Sequence, residues 1–504
     1  MTWDGSILWG GDRDTAAVRV APEVLADLNL DQVFAAAGIG DQEAVTRPLR
    51  EISTVSYRHG VFRDLEVEEI RAAFDAFGAG MRSVLEHLEH AQRLRHPRQR
   101  DRWQLDAEAV YCRTILDMCA ALRDMPLRSN GLRYWRAWLS DYVGADRFRG
   151  LTTDAAKIRA ALDAVRYRVR VTGRSVVVDR YDGRSDYSEI VAAAFARFRP
   201  DGDPAPPRPG NPWSDMNEVE ERILAAVTAQ HPMVFAELER HANRYRDFID
   251  PVVERFDAEL RFYLGYLGFV RSLTARGPRY CYPEITADFA GVFAEGAFDA
   301  ALAHQLSAAG ATVVGNDFRL DGAERVLVVT GPNQGGKSTF ARMIGQLFYL
   351  AALGCPVPGS RTRLSLPDGL FTHFVRQDDL DDPGGALAQE LAKIRDILPR
   401  VTERSVLVLN ESFSTTTADD ARLIGGAVLR RIIERGAVAV YVTFLEELAE
   451  LGPEVVSMVA GVESGDDPVR TFRIDRRPPD GPAYAVAVAH RHGLTYDEIR
   501  ARVR

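Results

Sequence analysis

Cysteine is scarce: the 504 residues contain four, Cys112, Cys119, Cys281 and Cys355. They are scattered, with neither a CxxC pair nor metal-ligand spacing. That excludes a disulfide scaffold and a thiolate zinc site, and reads as free thiols in a reducing compartment. No run of about 18 uncharged apolar residues occurs, so no membrane span is expected. The opening residues MTWDGSILWGGDRD lack a basic stretch followed by an apolar core, so no signal peptide is expected and the chain reads as cytoplasmic. Positive charge is not in excess either. With 63 Lys and Arg against 72 Asp and Glu, the formal net charge is −9. The whole molecule is therefore not a basic nucleic-acid coat, and any nucleic-acid contact has to be local.

What is present is an ordinary globular balance, 46% hydrophobic and 27% charged. A chain this long exceeds one hydrophobic core, and two to four domains are expected. The early part reads as helical. Val67, Ile70, Phe74, Phe77, Met81, Leu85 and Leu88 recur at three- and four-residue steps, which is one apolar helix face. The basic run RLRHPRQRDR follows and is read as a loop broken by Pro97. A second helical region covers roughly 106–165. The period then changes: YRVRVTGRSVVVDRYDG alternates over two short runs joined at Thr172-Gly173, a β-hairpin signal. RPDGDPAPPRPGNPW is a Pro- and Gly-rich surface loop or linker. From Asn217 to about Ser272 a long helical pattern returns. Phe248, Val252, Phe256, Leu260, Tyr263, Leu267 and Val270 form its stripe, and Pro232 and Pro251 kink or divide it. Half of that segment would span on the order of 40 Å. Two readings stay open: a helical bundle with an inserted hairpin, or a lever whose tip touches something distant.

Beyond about residue 310, short apolar runs alternate with helices. RVLVVT, SVLVLN and AVAVYVT read as buried strands of a parallel α/β sheet. The first runs into the strongest chemical signal of the chain. Gly331-Pro332-Asn333-Gln334-Gly335-Gly336-Lys337-Ser338 fits GxxxxGK[ST], with a strand before it and a helix after it. Gly331, Gly335 and Gly336 let backbone wrap a phosphate without Cβ clashes. The N–H groups and the helix N-terminus supply partial positive charge. Lys337 would reach the β- and γ-phosphates, and Ser338 would offer its hydroxyl to Mg²⁺. The implied ligands are ATP, or another purine nucleotide, and Mg²⁺. SVLVLN ends in Asn410-Glu411, where many P-loop ATPases hold Asp-Glu. Glu411 is the candidate general base, and Asn410 stands where a metal-orienting carboxylate would be, bringing an amide without charge. Four acids, Asp378, Asp379, Asp381 and Asp382, precede a Gly-Gly break and a helix; a charged run of this kind is usually a solvated loop.

Taken together these residues resemble the MutS family of DNA mismatch-repair ATPases. TGPNQGGKST, from Thr330 to Thr339, is close to that family's P-loop, in which Pro-Asn follows the first glycine. The resemblance continues in order: Asn316-Asp317 looks like the family's pair beside the nucleotide base, and Gln389-Glu390-Leu391 through Ile397-Leu398 looks like its signature helix. Asn410-Glu411 with Thr416-Thr417 and Asp420 looks like its Walker B strand and following loop. The C-terminal stretch from Arg470 resembles its closing hairpin and helices. NEVEERIL onward, from Asn217, resembles its returning lever helix.

The resemblance implies a multidomain α and α/β protein. Residues 1–290 would form a helical core and lever with a reduced clamp hairpin at about 166–187. Residues 291–504 would form an ABC-type P-loop ATPase with a mostly parallel sheet and C-terminal dimerisation helices. It implies an ATPase, a homodimer through that domain, and double-stranded or branched DNA as partner. Nucleotide would be held by Asn316, Asp317, Gly331, Pro332, Asn333, Gly335, Gly336, Lys337, Ser338 and Thr339, metal by Ser338 and Asn410. Glu411 and Lys337 would carry the catalysis. Arg166, Arg168, Arg170 and Arg174 on the hairpin are the DNA-contact candidates; alternation puts the first three on one face, where phosphate contact and a charged solvated edge are both open readings.

Departures accompany the likeness. No Phe-x-Glu wedge stands in the opening residues, so direct mismatch reading is not expected. Gly384, Gly385 and Ala386 stand near the place of the signature serine. Thr443-Phe444 replaces Thr-His, and the usual Arg-His-Pro is not evident. With Asn410, three polar groups around one phosphate are missing, so slow hydrolysis is expected. The alternative function is a nucleotide-gated protein-interaction switch with little turnover and no DNA binding.

Overall fold

The computed structural model describes residues 5–10, 19–40, 43–173, 175–183, 190, 215–375, 383–463, 469–479, 494, 499–500 and 502. The chain divides into two compact units. One is Met1–Val67, Leu127–Leu132 and Ala258–Arg504; the other is Glu68–Pro126 and Arg133–Asp257. The boundary expected at residue 290 is thus not where the units part. Residues 1–67 fold with the C-terminal part, through pairings with no local signature: Ser6 Oγ donates to Glu259 Oε1 at 2.9 Å, 253 residues away.

The helical unit contains the helices Glu68–Arg93, Pro97–Leu122, Asp146–Asp163, Glu218–Gln230 and Pro232–Arg244, and most of Asn130–Gly144. Ile70, Phe74, Phe77, Met81 and Val84 are buried, so the first stripe is real, but Val67 and Leu85 are exposed and the buried line runs through Val84 instead. Trp135 stacks on Phe256, with ring centroids 3.6 Å apart and planes 5° from parallel. Pro232 and Pro251 each begin a helix, so they divide the long pattern rather than kink it. The basic run is corrected in the same way. Only residues 94–96 lie outside helix; Pro97 is the first helical residue, where it forfeits no hydrogen bond, and the His96 ring caps the Arg98 N–H at 3.2 Å. The hairpin forms as β1 (Tyr167–Thr172) and β2 (Ser175–Arg180), antiparallel, with Gly173 at φ 61° in its turn.

The other unit holds β3 (Tyr280–Cys281), β4 (Glu284–Thr286), β5 (Val292–Ala297), β6 (Asn316–Leu320), β7 (Val326–Thr330), β8 (Val357–Pro358), β9 (Arg361–Ser365), β10 (Leu370–Phe374), β11 (Val406–Asn410), β12 (Val438–Val442), β13 (Val455–Glu463) and β14 (Val469–Arg476). Six of them form one sheet in the order β10-β11-β12-β7-β13-β14. Its first five strands are mutually parallel and β14 is antiparallel to β13. Every residue of β7, β11 and β12 is buried, as their unbroken apolar runs require of strands covered on both faces. The helices Lys337–Ala352 and Ala418–Arg435 follow β7 and β11. A smaller sheet runs β4-β9-β5-β6, and β3 pairs with β8. No described helix is long and apolar enough to cross a membrane.

Candidate nucleotide site

In a parallel sheet the ligand side lies beyond the carboxyl ends of the strands. Here β7, β11 and β12 end in register, Asn410 beside Val442 and Val442 beside Val329. The chain leaves β7 at Thr330 and turns through Gly331 at φ 114°, where a Cβ would come within 2.9 Å of Ala460 Cβ and 3.0 Å of its nitrogen. Gly336, at φ 93°, sits at the N-terminus of the Lys337–Ala352 helix. These two glycines are therefore demanded by the backbone. Gln334 adopts the left-handed region despite its side chain, at φ 61°, and its Oε1 accepts from Arg470 at 2.8 Å.

Lys337 is buried and folded into its own loop. Its Nζ donates to the carbonyls of Gly331 at 2.7 Å and Pro332 at 3.1 Å, and to Asn333 Oδ1 at 3.2 Å. Burial lowers the pKa of its ammonium, and the Glu411 carboxylate opposes that shift. Neutral acceptors hold this cation, so an anionic ligand would satisfy it better.

Lys337, Ser338, Thr339, Asn333 and Glu411 supply polar lining to one cavity of about 1120 Å³. Phe298, Leu302, Leu306, Val314, Phe340, Met343 and Phe472 line its apolar part. The volume lies just above the range of about 300–1,000 Å³ usual for small-molecule sites. Asn316, first in β6, also borders it. Asp317 does not: strand alternation turns it away, its Oδ1 accepts from Gly296 N–H at 2.6 Å, and it lines a separate pocket of about 320 Å³. Phe298 and Phe472 carried no local sequence signal. They reach the cavity from distant segments.

Asn410 ends β11 nearly buried, and its Oδ1 has no hydrogen-bond partner; Thr330 Oγ1 at the end of β7 has none either. An orphaned interior acceptor at the carboxyl end of a parallel strand fits a metal-bound water. Among the described residues no group of three His, Cys, Asp or Glu could hold a metal alone. A neutral oxygen acceptor of this kind suits Mg²⁺, which keeps several waters and binds with substrate phosphates. Ser338 and Asn410 are the residues that fit.

Glu411 follows at φ 53°, its N–H donating to Val442 O at 2.9 Å. Thr417 caps the Ala418–Arg435 helix, accepting from Asp420 N–H at 3.3 Å. Thr443 is buried with its hydroxyl on Leu445 N–H at 3.1 Å, while Phe444 is exposed. The acids Asp378, Asp379, Asp381 and Asp382 lie outside the described residues, as does most of the C-terminal stretch beyond 479.

The family profile of MutS domain V matches residues 327–496. The DNA mismatch repair protein MutS of Chlorobium phaeovibrioides is 31% identical over 237 residues, 46% of this chain and 27% of that protein. The protein of the same description from Thermotoga sp. strain RQ2 is 32% identical over 188 residues, 36% of this chain and 23% of its own. That from Chlorobium limicola is 33% identical over 186 residues.

Over residues 327–496 the chain carries a domain of the MutS family. It spans about a quarter of the length of the MutS relatives it matches. The stretch matching MutS domain V holds the loop, Lys337, Asn410 and Glu411, and excludes Asn316, Asp317 and the hairpin.

The hairpin arginines are less free than alternation implied. Arg168 and Arg170 share a face, as expected, but Arg168 pairs with Asp182 and Arg170 with Asp179 at 2.8 Å. Arg166 precedes the strand and donates to the backbone carbonyls of Asp163 and Val165. Arg174 lies outside the described residues. The paired aspartates were in the same sequence run, two and five residues beyond Val177. The opposite face exposes Tyr167, Val169, Val171 and Val176.

Proposed function

We propose that this chain binds ATP with Mg²⁺ at residues 331–339, hydrolyses it slowly, and couples nucleotide state to DNA binding as a homodimer. The observation that carries the reading is convergence: a glycine-built phosphate loop, Lys337 and Glu411 line one cavity. Nucleotide handling is assigned to 291–504, and DNA handling to the helical part within 1–290 with its hairpin.

In this mechanism Lys337 leaves the Gly331 and Pro332 carbonyls for the β- and γ-phosphates, and the loop N–H groups and helix N-terminus hold the remaining phosphate charge. Asn333 and Thr339 flank them. The purine lies toward the apolar walls, with Phe472 as a stacking face. Bound Mg²⁺ supplies charge neutralisation across the phosphates. Ser338, through its hydroxyl, and Asn410, through its unpartnered amide oxygen, would hold it. Glu411 orients the attacking water and accepts its proton. Asn410 brings no charge, and Phe444 offers no hydrogen bond, so the transition state loses stabilisers each worth about 10²–10³ in rate.

On the hairpin, exposed ion pairs are worth only about 0.2–1 kcal/mol, so DNA phosphates could compete for Arg168 and Arg170. A nucleotide-gated switch without DNA binding is the second reading, favoured by those same pairs and by Asn410. Electrophoretic mobility under salt titration separates the two: binding that falls steeply with salt supports the clamp, and none at low salt supports the switch. Turnover with and without double-stranded and branched DNA tests coupling.

A further inference from the structure

We propose that Glu390 is the positioning residue for Glu411, a brace tying the Pro383–Ile397 helix to the loop that carries the base; the proposal rests on the reading of Glu411 above. Glu390 is 3% exposed, so its carboxylate is an interior group. Its Oε2 accepts from the Phe413 N–H, and its Oε1 accepts from Thr415 Oγ1 at 2.9 Å. Both oxygens are spent on one loop, two and four residues beyond Glu411.

That loop needs holding. Glu411 at φ 53° and Phe413 at φ 66° both occupy left-handed backbone. Side-chain-bearing residues avoid that region and persist there only when their surroundings over-determine them. Ser412, between them, is gripped from the sheet: its Oγ lies 2.7 Å from His373 Nδ1, and its carbonyl accepts from Tyr441 OH at 3.1 Å. The Phe413 ring is fully buried and lies against His373. On the far side the grip comes from Glu390. Without it the buried Phe413 N–H loses its acceptor, which the interior does not tolerate cheaply.

The consequence is mechanical. A shift of the Pro383–Ile397 helix is transmitted through two hydrogen bonds to the loop that aims Glu411 into the Lys337 cavity. A displacement of about 1 Å at a reacting group costs on the order of 10² in rate. Glu390 therefore sets whether the base is in place, while the phosphate loop, on another strand, binds nucleotide regardless.

The test uses the full chain with Glu390→Gln, Glu390→Ala and the milder Thr415→Val. Steady-state kinetics, binding of a fluorescent ATP analogue, and amide exchange over 411–417 are measured on each. The brace predicts kcat lowered about 10- to 100-fold in Glu390→Ala and less in Glu390→Gln, with KM and nucleotide affinity within about threefold. It also predicts faster exchange confined to 411–417. Unchanged kcat together with unchanged exchange overturns it, as does a loss that falls on affinity alone. An unaltered protein without turnover sinks the hydrolysis reading; exchange at 411–417 then decides the brace by itself.

Discussion

Asn316 holds Phe472 in place: its Nδ2 donates to the Phe472 carbonyl at 3.1 Å, and its Oδ1 accepts from Ile474 N–H at 2.7 Å. Phe472 stands at φ 55° in an irregular stretch of β14, so this one amide supports strained backbone whose ring borders the candidate nucleotide cavity. Asn316→Ala should release that wall. Base stacking on an aromatic ring is worth about 1–3 kcal/mol, so nucleotide affinity should fall about 5- to 100-fold, matching Phe472→Ala. Calorimetric titration checks it; affinity unchanged in both variants would remove Phe472 from the site.

Much of this was legible in the sequence, and the reasons differ by element. The loop at 331–338 was readable because its backbone dictates its residues locally. The strands β7, β11 and β12 were readable because burial on both faces leaves an unbroken apolar run. Asn316 was placed beside the cavity, whereas Asp317 was not separable from it without knowing the strand's facing. Phe472 and Glu390 act through partners 156 and 23 residues away, and no local pattern encodes such pairings. The same holds for residues 5–67, whose fold membership depends on contacts like Ser6 with Glu259. Pro97 was misread because proline ends a helix or begins one, and only the His96 cap tells which.

Asn410 offers a direct test of the metal reading. Its Oδ1 is buried and unpartnered, so Asn410→Asp places a carboxylate where the interior already has an unmet acceptor. Mg²⁺ titration of turnover should show a lower half-saturating concentration and a rate increased on the order of tenfold, the scale of one charge-assisted contact at about 1.5–3 kcal/mol. No change in Mg²⁺ dependence would place the metal elsewhere.

His59 gives a pH signature. Burial, with the nearby Arg63 cation adding to it, pushes its imidazole down from 6.5 to about 4. The folded state keeps the ring neutral while the unfolded state takes up a proton below pH 6.5. Stability should therefore be fully present above pH 6.5 and fall as pH drops toward 4, by about 3 kcal/mol for this group. Denaturant melts of the unaltered protein and His59→Gln across that window check it. The variant's curve should be flatter by that amount, and parallel curves would mean that the ring titrates normally.

The most direct test of the central claim is steady-state ATP hydrolysis by the full chain with Mg²⁺, beside Lys337→Ala and Glu411→Ala. The account predicts slow turnover that DNA changes and both substitutions abolish, with nucleotide binding lost in Lys337→Ala and kept in Glu411→Ala. ATP binding without turnover under any DNA condition would contradict it, and so would turnover that survives Lys337→Ala.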